Sequence, residues 1–255
     1  MPDTSSTPAR GRLVTLWRLG WTVGTACVVQ GLICGLALLP VVWLWTRLAT
    51  ARAWGTPAFL AVAGFAVVPS YVLFALALMI VSPLAMRLAG WRTPESVEMT
   101  LTGLDWPLLD WVRTMIGTHL VRFLAGSLFR GTPIWTAYLR LAGARLGRRV
   151  YINSLAMSDY NLLDFGDDVV IGEDVHISGH TVEGGVVRTG RVRLGPKVTI
   201  GLGSVIGIDV EVGAGCQVGA LSLVPKRTTL EPGATYAGIP VRRLDTDAVS
   251  SMRPE

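Results

Sequence analysis

Histidine is the side chain in this sequence best suited to proton transfer, because an imidazole titrates near neutral pH and can take and return a proton. The 255-residue chain has three histidines, His119, His176 and His180. His180 lies near the start of a polar, glycine-rich segment at residues 178–193, SGHTVEGGVVRTGRVR, and His176 lies just before it. Functional groups concentrate in loops that a rigid scaffold holds. We therefore single out His180, at the root of this segment; the alternative is a loop histidine bonded to backbone.

The other two histidines fit structural roles. His176 lies inside a repeat, and His119 lies on a predicted amphipathic helix, where packing or an interfacial position suits it. A zinc ion held by three histidines needs a third imidazole, and only His176 and His180 lie on the repeats. The three cysteines form neither a disulfide framework nor a metal motif, which indicates a reducing compartment. The sequence predicts no metal site.

A six-residue repeat is the element that must position these side chains. From Leu194 the chain divides into the hexads LGPKVT, IGLGSV, IGIDVE, VGAGCQ, VGALSL, VPKRTT, LEPGAT and YAGIPV, and seven of the eight begin with an aliphatic residue. Phe165, Ile171 and Ile177 keep the same spacing upstream, and Leu146 and Ile152 do so separately. This period is typical of an all-β parallel β-helix of triangular section, in which three hexads make one coil of about 18 residues. We expect this domain over 146–244, with 178–193 leaving it as a loop.

Two uncharged spans precede the repeats. No charged residue lies between Arg18 and Arg47 or between Arg52 and Arg87. Each gap exceeds the roughly 20 apolar residues that a helix needs to cross a bilayer. A cleaved signal peptide is disfavoured, since the first span is too long and a second follows at once. The sequence predicts membrane helices near 21–45 and 57–82.

These helices would form a transmembrane helical hairpin over 21–92, after an N-terminal tail at 1–20. Five arginines flank the hairpin and two lie in its loop, which favours cytoplasmic termini. We therefore expect a multi-pass protein of the cell (inner) membrane, with the β-helix on the cytoplasmic side.

The middle of the chain, 93–145, reads as a polar linker followed by amphipathic helices. The first runs from about Asp105 to Phe129, and the second begins at Thr132-Pro133 and ends near Gly143. Their tryptophans and arginines suit either an interfacial platform on the membrane or packing against the next domain. A C-terminal tail is expected at 245–255.

Composition excludes several classes of protein. Only 16% of the residues are charged and 51% are hydrophobic, which fits disorder, coiled coils and nucleic-acid binding poorly. The net charge of +5 comes from arginines near the apolar spans, so membrane lipids with anionic headgroups are the expected partner.

Three stretches resemble the hexapeptide-repeat left-handed β-helix acyltransferases: LLDFGDDVVIGEDVHISGH, VRLGPKVTIGLGSVIG and VPKRTTLEPGATYAGIPVRRL. The resemblance implies a left-handed winding and a homotrimer with each active site between two neighbouring prisms. It also implies that a loop histidine, here His180, acts as general base while the acceptor attacks a thioester.

Position along the chain gives further candidate site residues, and the resemblance adds the donor contacts. Asp159 and Asp164 flank an interruption of the repeat and could bind the acceptor, orient the imidazole or cap turns. Glu183 could bind substrate or orient His180. Lys226, after a Val-Pro turn, and Ala220 stand where the donor cofactor would bind; a solvated lysine is the alternative.

A closer resemblance covers nearly the whole chain. The two spans, then GTHLVRFLAGSLFRGTPIWTAYLRLAGARLG and YINSLAMSDYNLLDFGDDVVIGEDVHISGHTVEGG, look like one unit of the membrane-bound terminal region of ε-poly-lysine-synthetase-type nonribosomal peptide synthetases. That implies transfer of an aminoacyl or acyl group from a phosphopantetheine thioester, carried by an adenylation–carrier protein or CoA, to an amine. No cofactor would be bound covalently. The alternatives are an acetyl-CoA-dependent O- or N-acetyltransferase and a non-catalytic β-helix scaffold.

Overall fold

A computed structural model describes residues 8–244, and the side chains of 13–244. The described chain divides into two compact units. The first comprises the residues up to Gly90 together with Ile116–Ala125, and the second comprises Trp91–Met115 together with the residues from Gly126 onward. The predicted tail at 245–255 and residues 1–7 of the predicted N-terminal tail lie outside the described residues.

Within residues 8–244, five α-helices precede or flank the repeats. They are α1 (Pro8–Leu48), α2 (Thr56–Leu88), α3 (Trp106–Val121), α4 (Ser127–Phe129) and α5 (Pro133–Leu141). Helix α1 begins at Pro8, well before the expected position 21, because proline suits a first helical turn and no further proline follows until Pro40. A short 3₁₀ segment, Ala49–Trp54, joins α1 to α2.

Helices α1 and α2 are long and apolar enough to cross a membrane. In the most apolar 18-residue stretch of each helix, only 11% of the residues of the first and 28% of those of the second are buried. Trp45 Nε1 donates a hydrogen bond of 2.9 Å to Ser70 Oγ, so the two helices contact each other through a polar group. Most of their apolar side chains are therefore not fully buried within the described chain.

Helices α3 to α5 follow the capping signals of the sequence. Helix α3 begins directly after Asp105 and carries Pro107 in its first turn. A π-turn at Arg122–Gly126 separates α3 from α4. Thr132 caps α5, since its Oγ1 accepts a hydrogen bond of 3.4 Å from the backbone N of Trp135.

The strands are short, as one side of a triangular coil requires. They are β1 (Glu98–Thr100), β2 (Arg145–Leu146), β3 (Tyr151–Ile152), β4 (Leu163–Phe165), β5 (Val170–Ile171), β6 (His176–Ile177), β7 (His180–Glu183), β8 (Val186–Thr189), β9 (Val192–Leu194), β10 (Thr199–Ile200), β11 (Val205–Ile206), β12 (Glu211–Val212), β13 (Gln217–Val218), β14 (Leu223–Val224), β15 (Thr229–Leu230), β16 (Thr235–Ala237) and β17 (Arg242–Arg243).

Three parallel sheets form the three faces of a β-helix. The first face contains β2, β4, β9, β12 and β15; the second contains β3, β5, β10, β13 and β16, with β17 added antiparallel; the third contains β6, β11 and β14. Ile200 pairs with Val218 and Ile206 with Val224, each 18 residues further on. The coil is therefore the one that the six-residue period predicts, while its left-handed sense stays a prediction.

The residues that lead the hexads form the core of this β-helix. All eight from Leu194 to Tyr236 are buried, as are Phe165, Ile171 and Ile177 upstream. Burying one aliphatic side chain contributes about 1.5–3 kcal/mol, so a column of this length accounts for much of the domain's stability.

Residues 178–193 leave the β-helix as a β-hairpin rather than an irregular loop. Strands β7 and β8 pair antiparallel around the turn Gly184-Gly185, and β1 adds to the free edge of β8. A glycine pair between two short runs that contain valine is itself a hairpin signal. The predicted loop therefore carries regular structure, held on one side by the segment that follows α2.

Candidate functional site

His180 and Asp159 form a hydrogen-bonded pair at the base of the hairpin. Asp159 Oδ2 lies 2.5 Å from His180 Nδ1. The Asp159 residue is 0% exposed, whereas the His180 side chain is 23% exposed. One partner is therefore sealed inside the protein while the other reaches the surface.

This contact determines which imidazole nitrogen is available for chemistry. An ionised carboxylate only accepts hydrogen bonds, so Nδ1 of His180 carries the proton that Asp159 binds. The lone pair then lies on Nε2, for which the described residues provide no hydrogen-bond partner. The arrangement equips Nε2 to take a proton from a bound molecule and Asp159 to stabilise the resulting cation.

Two donors hold the other oxygen of Asp159. Thr93 Oγ1 donates to Asp159 Oδ1 at 2.8 Å, and Trp111 Nε1 donates to the same oxygen at 3.1 Å. The Trp111 ring also packs edge-on against the imidazole of His180, with 4.9 Å between ring centroids and 70° between ring planes. Both members of the pair are thus fixed by residues outside the repeats.

Two serines complete the network without acting as nucleophiles. Ser158 Oγ donates to Asp159 Oδ2 at 3.1 Å and lies 2.9 Å from Ser178 Oγ. Ser178 Oγ lies 3.0 Å from His180 Nδ1, the nitrogen that Asp159 already holds. A serine nucleophile needs the opposite imidazole nitrogen as its base. The geometry therefore does not provide a serine–histidine–aspartate relay.

Local backbone geometry brings these groups together. Asp159 has φ of 53°, in the left-handed region that aspartate tolerates better than most residues. A Cβ at position 179 would lie only 2.7 Å from Asp159 Cβ. Glycine at 179 is therefore needed for the segment before His180 to pass this close to Asp159.

A segment that we call the strap, residues 91–101, contacts both the segment around Asp159 and the hairpin that begins at His180. Asn161 Nδ2 donates to Thr93 O at 2.8 Å, and its Oδ1 accepts from Thr93 N at 3.3 Å. Further along, Arg191 donates to both carboxylate oxygens of Glu95, at 2.8 and 2.6 Å. Strand β1 then pairs with the hairpin. The strap thus contacts both the Asp159 side and the His180 side of the site.

The ion pair between Glu95 and Arg191 gives the strap a pH dependence. The Arg191 guanidinium lowers the pKa of Glu95 from its usual 4.5. A carboxyl whose pKa is lower in the folded state stabilises that state above its unfolded pKa, and this contribution is lost as the pH falls through the folded value.

We therefore expect Glu95→Gln to lower the melting temperature above pH 4.5, and the difference from the wild type to vanish at more acidic pH. The effect is small, because the Glu95 side chain is 45% exposed to screening solvent. Thermal melts of both proteins in detergent across this range measure it. A difference that grows on acidification would contradict the assignment.

The remaining predicted site residues lie apart from the imidazole. Asp164 lies on β4, 3.8 Å from Arg145, and Glu183 near the hairpin tip binds Lys226. The Lys226 ammonium lowers the pKa of Glu183. The carboxylate that contacts Nδ1 of the imidazole therefore comes from Asp159 and not from Glu183.

The two residues predicted to bind the donor lie at different corners of the β-helix. Lys226 follows β14, at the corner where His180 follows β6, and its contact with Glu183 places it alongside the hairpin. Ala220 is exposed in the turn between β13 and β14, at the preceding corner.

The other two histidines lie on other elements. His176 is exposed on β6, and His119 is exposed on α3. Within residues 8–244 no group of three histidine, cysteine, aspartate or glutamate side chains is placed to hold a metal ion.

Thr93 and Trp111 are functional candidates that sequence reasoning missed. Both lie in the linker region, 66 and 48 residues from Asp159 along the chain. No local pattern connects positions so far apart. The available sequence signal was the hairpin turn. A hairpin has a strand edge that another segment of the chain can pair with, as β1 does here.

Some known proteins are similar to parts of this chain. No family model matches the chain. Over 166 residues, or 64% of the chain, it is 26% identical to the delta-poly-L-ornithine synthetase of Acinetobacter baumannii (strain AB307-0294). The chain is similar to part of a poly-amino-acid synthetase. It spans 12% of the length of that protein.

Solved structures similar to this chain are hexapeptide-repeat acetyltransferases. A Vibrio cholerae acetyltransferase complexed with acetyl coenzyme A is 25% identical, with a TM-score of 0.37, over 40% of this chain and 60% of that one. A maltose O-acetyltransferase from Clostridium difficile 630 is 17% identical, with a TM-score of 0.42, over 58% and 91%. A galactoside acetyltransferase in complex with coenzyme A is 18% identical, with a TM-score of 0.41, over 50% and 78%.

Proposed function

We propose that this chain is a membrane-anchored acyltransferase that moves an aminoacyl or acyl group from a phosphopantetheine thioester to an amine. The observation that carries the proposal is the pair of His180 and Asp159, in which a buried carboxylate orients a partly exposed imidazole. Its place at the root of a hairpin on a hexapeptide β-helix supports the same assignment, and so does the similarity to a poly-ornithine synthetase.

The reaction needs one base and no covalent enzyme intermediate. The neutral amine nitrogen attacks the thioester carbonyl carbon while Nε2 of His180 takes a proton from that nitrogen. Asp159 stabilises the imidazolium through Nδ1. The tetrahedral intermediate collapses, the carbon–sulfur bond breaks, and the imidazolium returns its proton to the departing thiolate. An amide and a free thiol result.

Lys226 is our candidate for the phosphate groups of the donor. It pairs with Glu183, and both side chains are about half exposed. Surface ion pairs contribute about 0–1 kcal/mol, so a donor phosphate can replace Glu183 at little cost. We propose Ala220 as a second donor contact, and Asp164 and Glu183 as carboxylates for a cationic acceptor.

The choice of donor distinguishes this function from its alternatives. The full chain in detergent is given an amine with either acetyl-CoA or a carrier protein loaded with an amino acid, and thiol release and product mass are measured. We expect amide formation with the loaded carrier. Amide formed from acetyl-CoA alone would favour an acetyltransferase, and none from either donor would favour a scaffold.

Thr93 is expected to act as a positioning residue in this reaction. Thr93→Val removes the hydroxyl that holds Asp159 Oδ1, so we expect kcat to fall about 10-fold, equivalent to ~1.4 kcal/mol. The KM is expected to stay unchanged, because Thr93 touches no substrate. Thr93→Ser keeps the hydroxyl and should restore kcat; equal loss in both variants would contradict this role.

Membrane insertion is proposed from the two long helices. A core helix of a soluble protein is mostly buried, whereas few residues in the most apolar stretches of α1 and α2 are buried. The arginine distribution favours termini, and with them a β-helix, on the cytoplasmic side. The full chain should remain in membranes after a carbonate wash.

We propose a homotrimer, with lipids and an adenylation–carrier protein as further partners. The corner before the third face exposes Leu202 and Leu221, joined by a backbone hydrogen bond of 2.8 Å, and Ile239 and Val205 lie exposed nearby in the chain's last coils. Exposed apolar patches of this kind mark interaction sites. The mass of the detergent-solubilised protein should be that of three chains; a fully active monomer would refute a shared site.

A further inference from the structure

The unit that contains α1 and α2 has an unusual charge balance. No aspartate or glutamate occurs between Asp3 and Glu95, yet arginines stand at both ends of the connection between the two helices. Arg47 lies over the ring of Trp43, with 5.4 Å from its guanidinium carbon to the centroid, and Arg52 lies over Phe59 at 5.2 Å. Aromatic faces attract these cations but do not neutralise them.

A groove of about 440 Å³ lies beside Arg52. Its walls come from the end of α1, the 3₁₀ segment and the start of α2, and they include Val42, Trp45, Ala49 and Phe59. The indole N–H of Trp45 is already bonded to Ser70, so that ring offers the groove mainly an apolar surface. The groove therefore has a cationic end and largely apolar walls.

We propose that this groove binds one anionic phospholipid per chain. The phosphate of the headgroup would accept two hydrogen bonds from the Arg52 guanidinium, which suits a planar fork of donors. One acyl chain would follow the apolar walls past Val42 and Trp45. The lipid thus supplies the negative charge that the unit's own sequence lacks between residues 4 and 94.

Charge complementarity favours an anionic headgroup over a zwitterionic one. Phosphatidylcholine carries a compensating ammonium, whereas phosphatidylglycerol presents its phosphate without one. One arginine near a membrane surface contributes about 1 kcal/mol of attraction to anionic lipid, which corresponds to about fivefold in affinity. The inference rests on the proposed membrane insertion of α1 and α2.

Native mass spectrometry of the full chain, released from detergent, tests this site. The probes are dimyristoylphosphatidylglycerol and dimyristoylphosphatidylcholine, titrated separately. We expect one retained phosphatidylglycerol per chain, bound about fivefold more tightly than phosphatidylcholine. Arg52→Gln should remove the preference for phosphatidylglycerol. Ala49→Leu narrows the groove and should weaken the binding of both lipids.

Arg47→Gln is the matched control, because it removes the same charge nearby but outside the groove lining. It should keep the lipid preference. Equal loss in the Arg47 and Arg52 variants would show diffuse surface attraction and overturn the site, as would a wild-type chain that retains neither lipid selectively. A carbonate wash of membranes that contain the full chain separates membrane insertion from lipid binding in the groove. A chain that washes off refutes membrane insertion. A chain that stays in the membrane but binds no lipid refutes only the lipid site in the groove.

Discussion

Replacing His180 with alanine is expected to lower turnover by about 10²–10⁴-fold, the usual contribution of a positioned general base. The variant loses the only nitrogen in the site with a lone pair directed away from Asp159. The amine can then release its proton only to water. Binding of the donor should change little, because no donor contact is assigned to His180.

The measurement is thiol release by the full chain in detergent, with kcat and KM determined separately. His176→Ala is the matched control, since it removes an imidazole four residues earlier that is exposed on β6. Thermal melts should show that both variants stay folded. If His180→Ala keeps wild-type turnover while the wild type is active, the base lies elsewhere and the assignment fails.

The sequence predicted the repeat domain well, because its signal is local and repeated. Each hexad carries its own aliphatic residue, so the period alone indicates which side chains turn inward. Ile200, Ile206 and Val212 are buried in three successive faces, as this pattern requires. The apolar spans were equally readable, since the absence of charge is a property of each segment by itself.

The candidate site was harder to predict from the sequence, because it depends on contacts between segments that are distant along the chain. Asp159 was one of several carboxylates considered, and its contact with His180 is seen only in the folded chain, where Thr93 and Trp111 hold its other oxygen. Glu183, the nearer carboxylate in sequence to His180, binds Lys226 instead. Spacing along the chain could not decide between them, because the hairpin directs Glu183 away from the base of the loop.

Asp159→Asn should lower kcat nearly as much as loss of the His180 imidazole, although it replaces only one carboxylate oxygen with an NH₂ group. Trp111 Nε1 can only donate, so the amide oxygen of the asparagine must remain on that side. The amide NH₂ then faces His180 Nδ1 and requires it to accept. The imidazole proton moves to Nε2, where it blocks the lone pair that the reaction needs. We expect kcat to fall by about 10²–10⁴-fold.

Asparagine is the substitution to use here because it also tolerates the left-handed conformation of Asp159, which separates the tautomer effect from backbone strain. Asp168→Asn is the matched control, since Asp168 has φ of 59° but lies at an exposed ion pair with Arg149. Side-chain ¹⁵N spectra should place the His180 proton on Nδ1 in the wild type and on Nε2 in Asp159→Asn. A variant that shows the Nε2 tautomer yet retains full turnover would contradict the general-base mechanism, and one that keeps the Nδ1 tautomer would contradict the role given to Asp159.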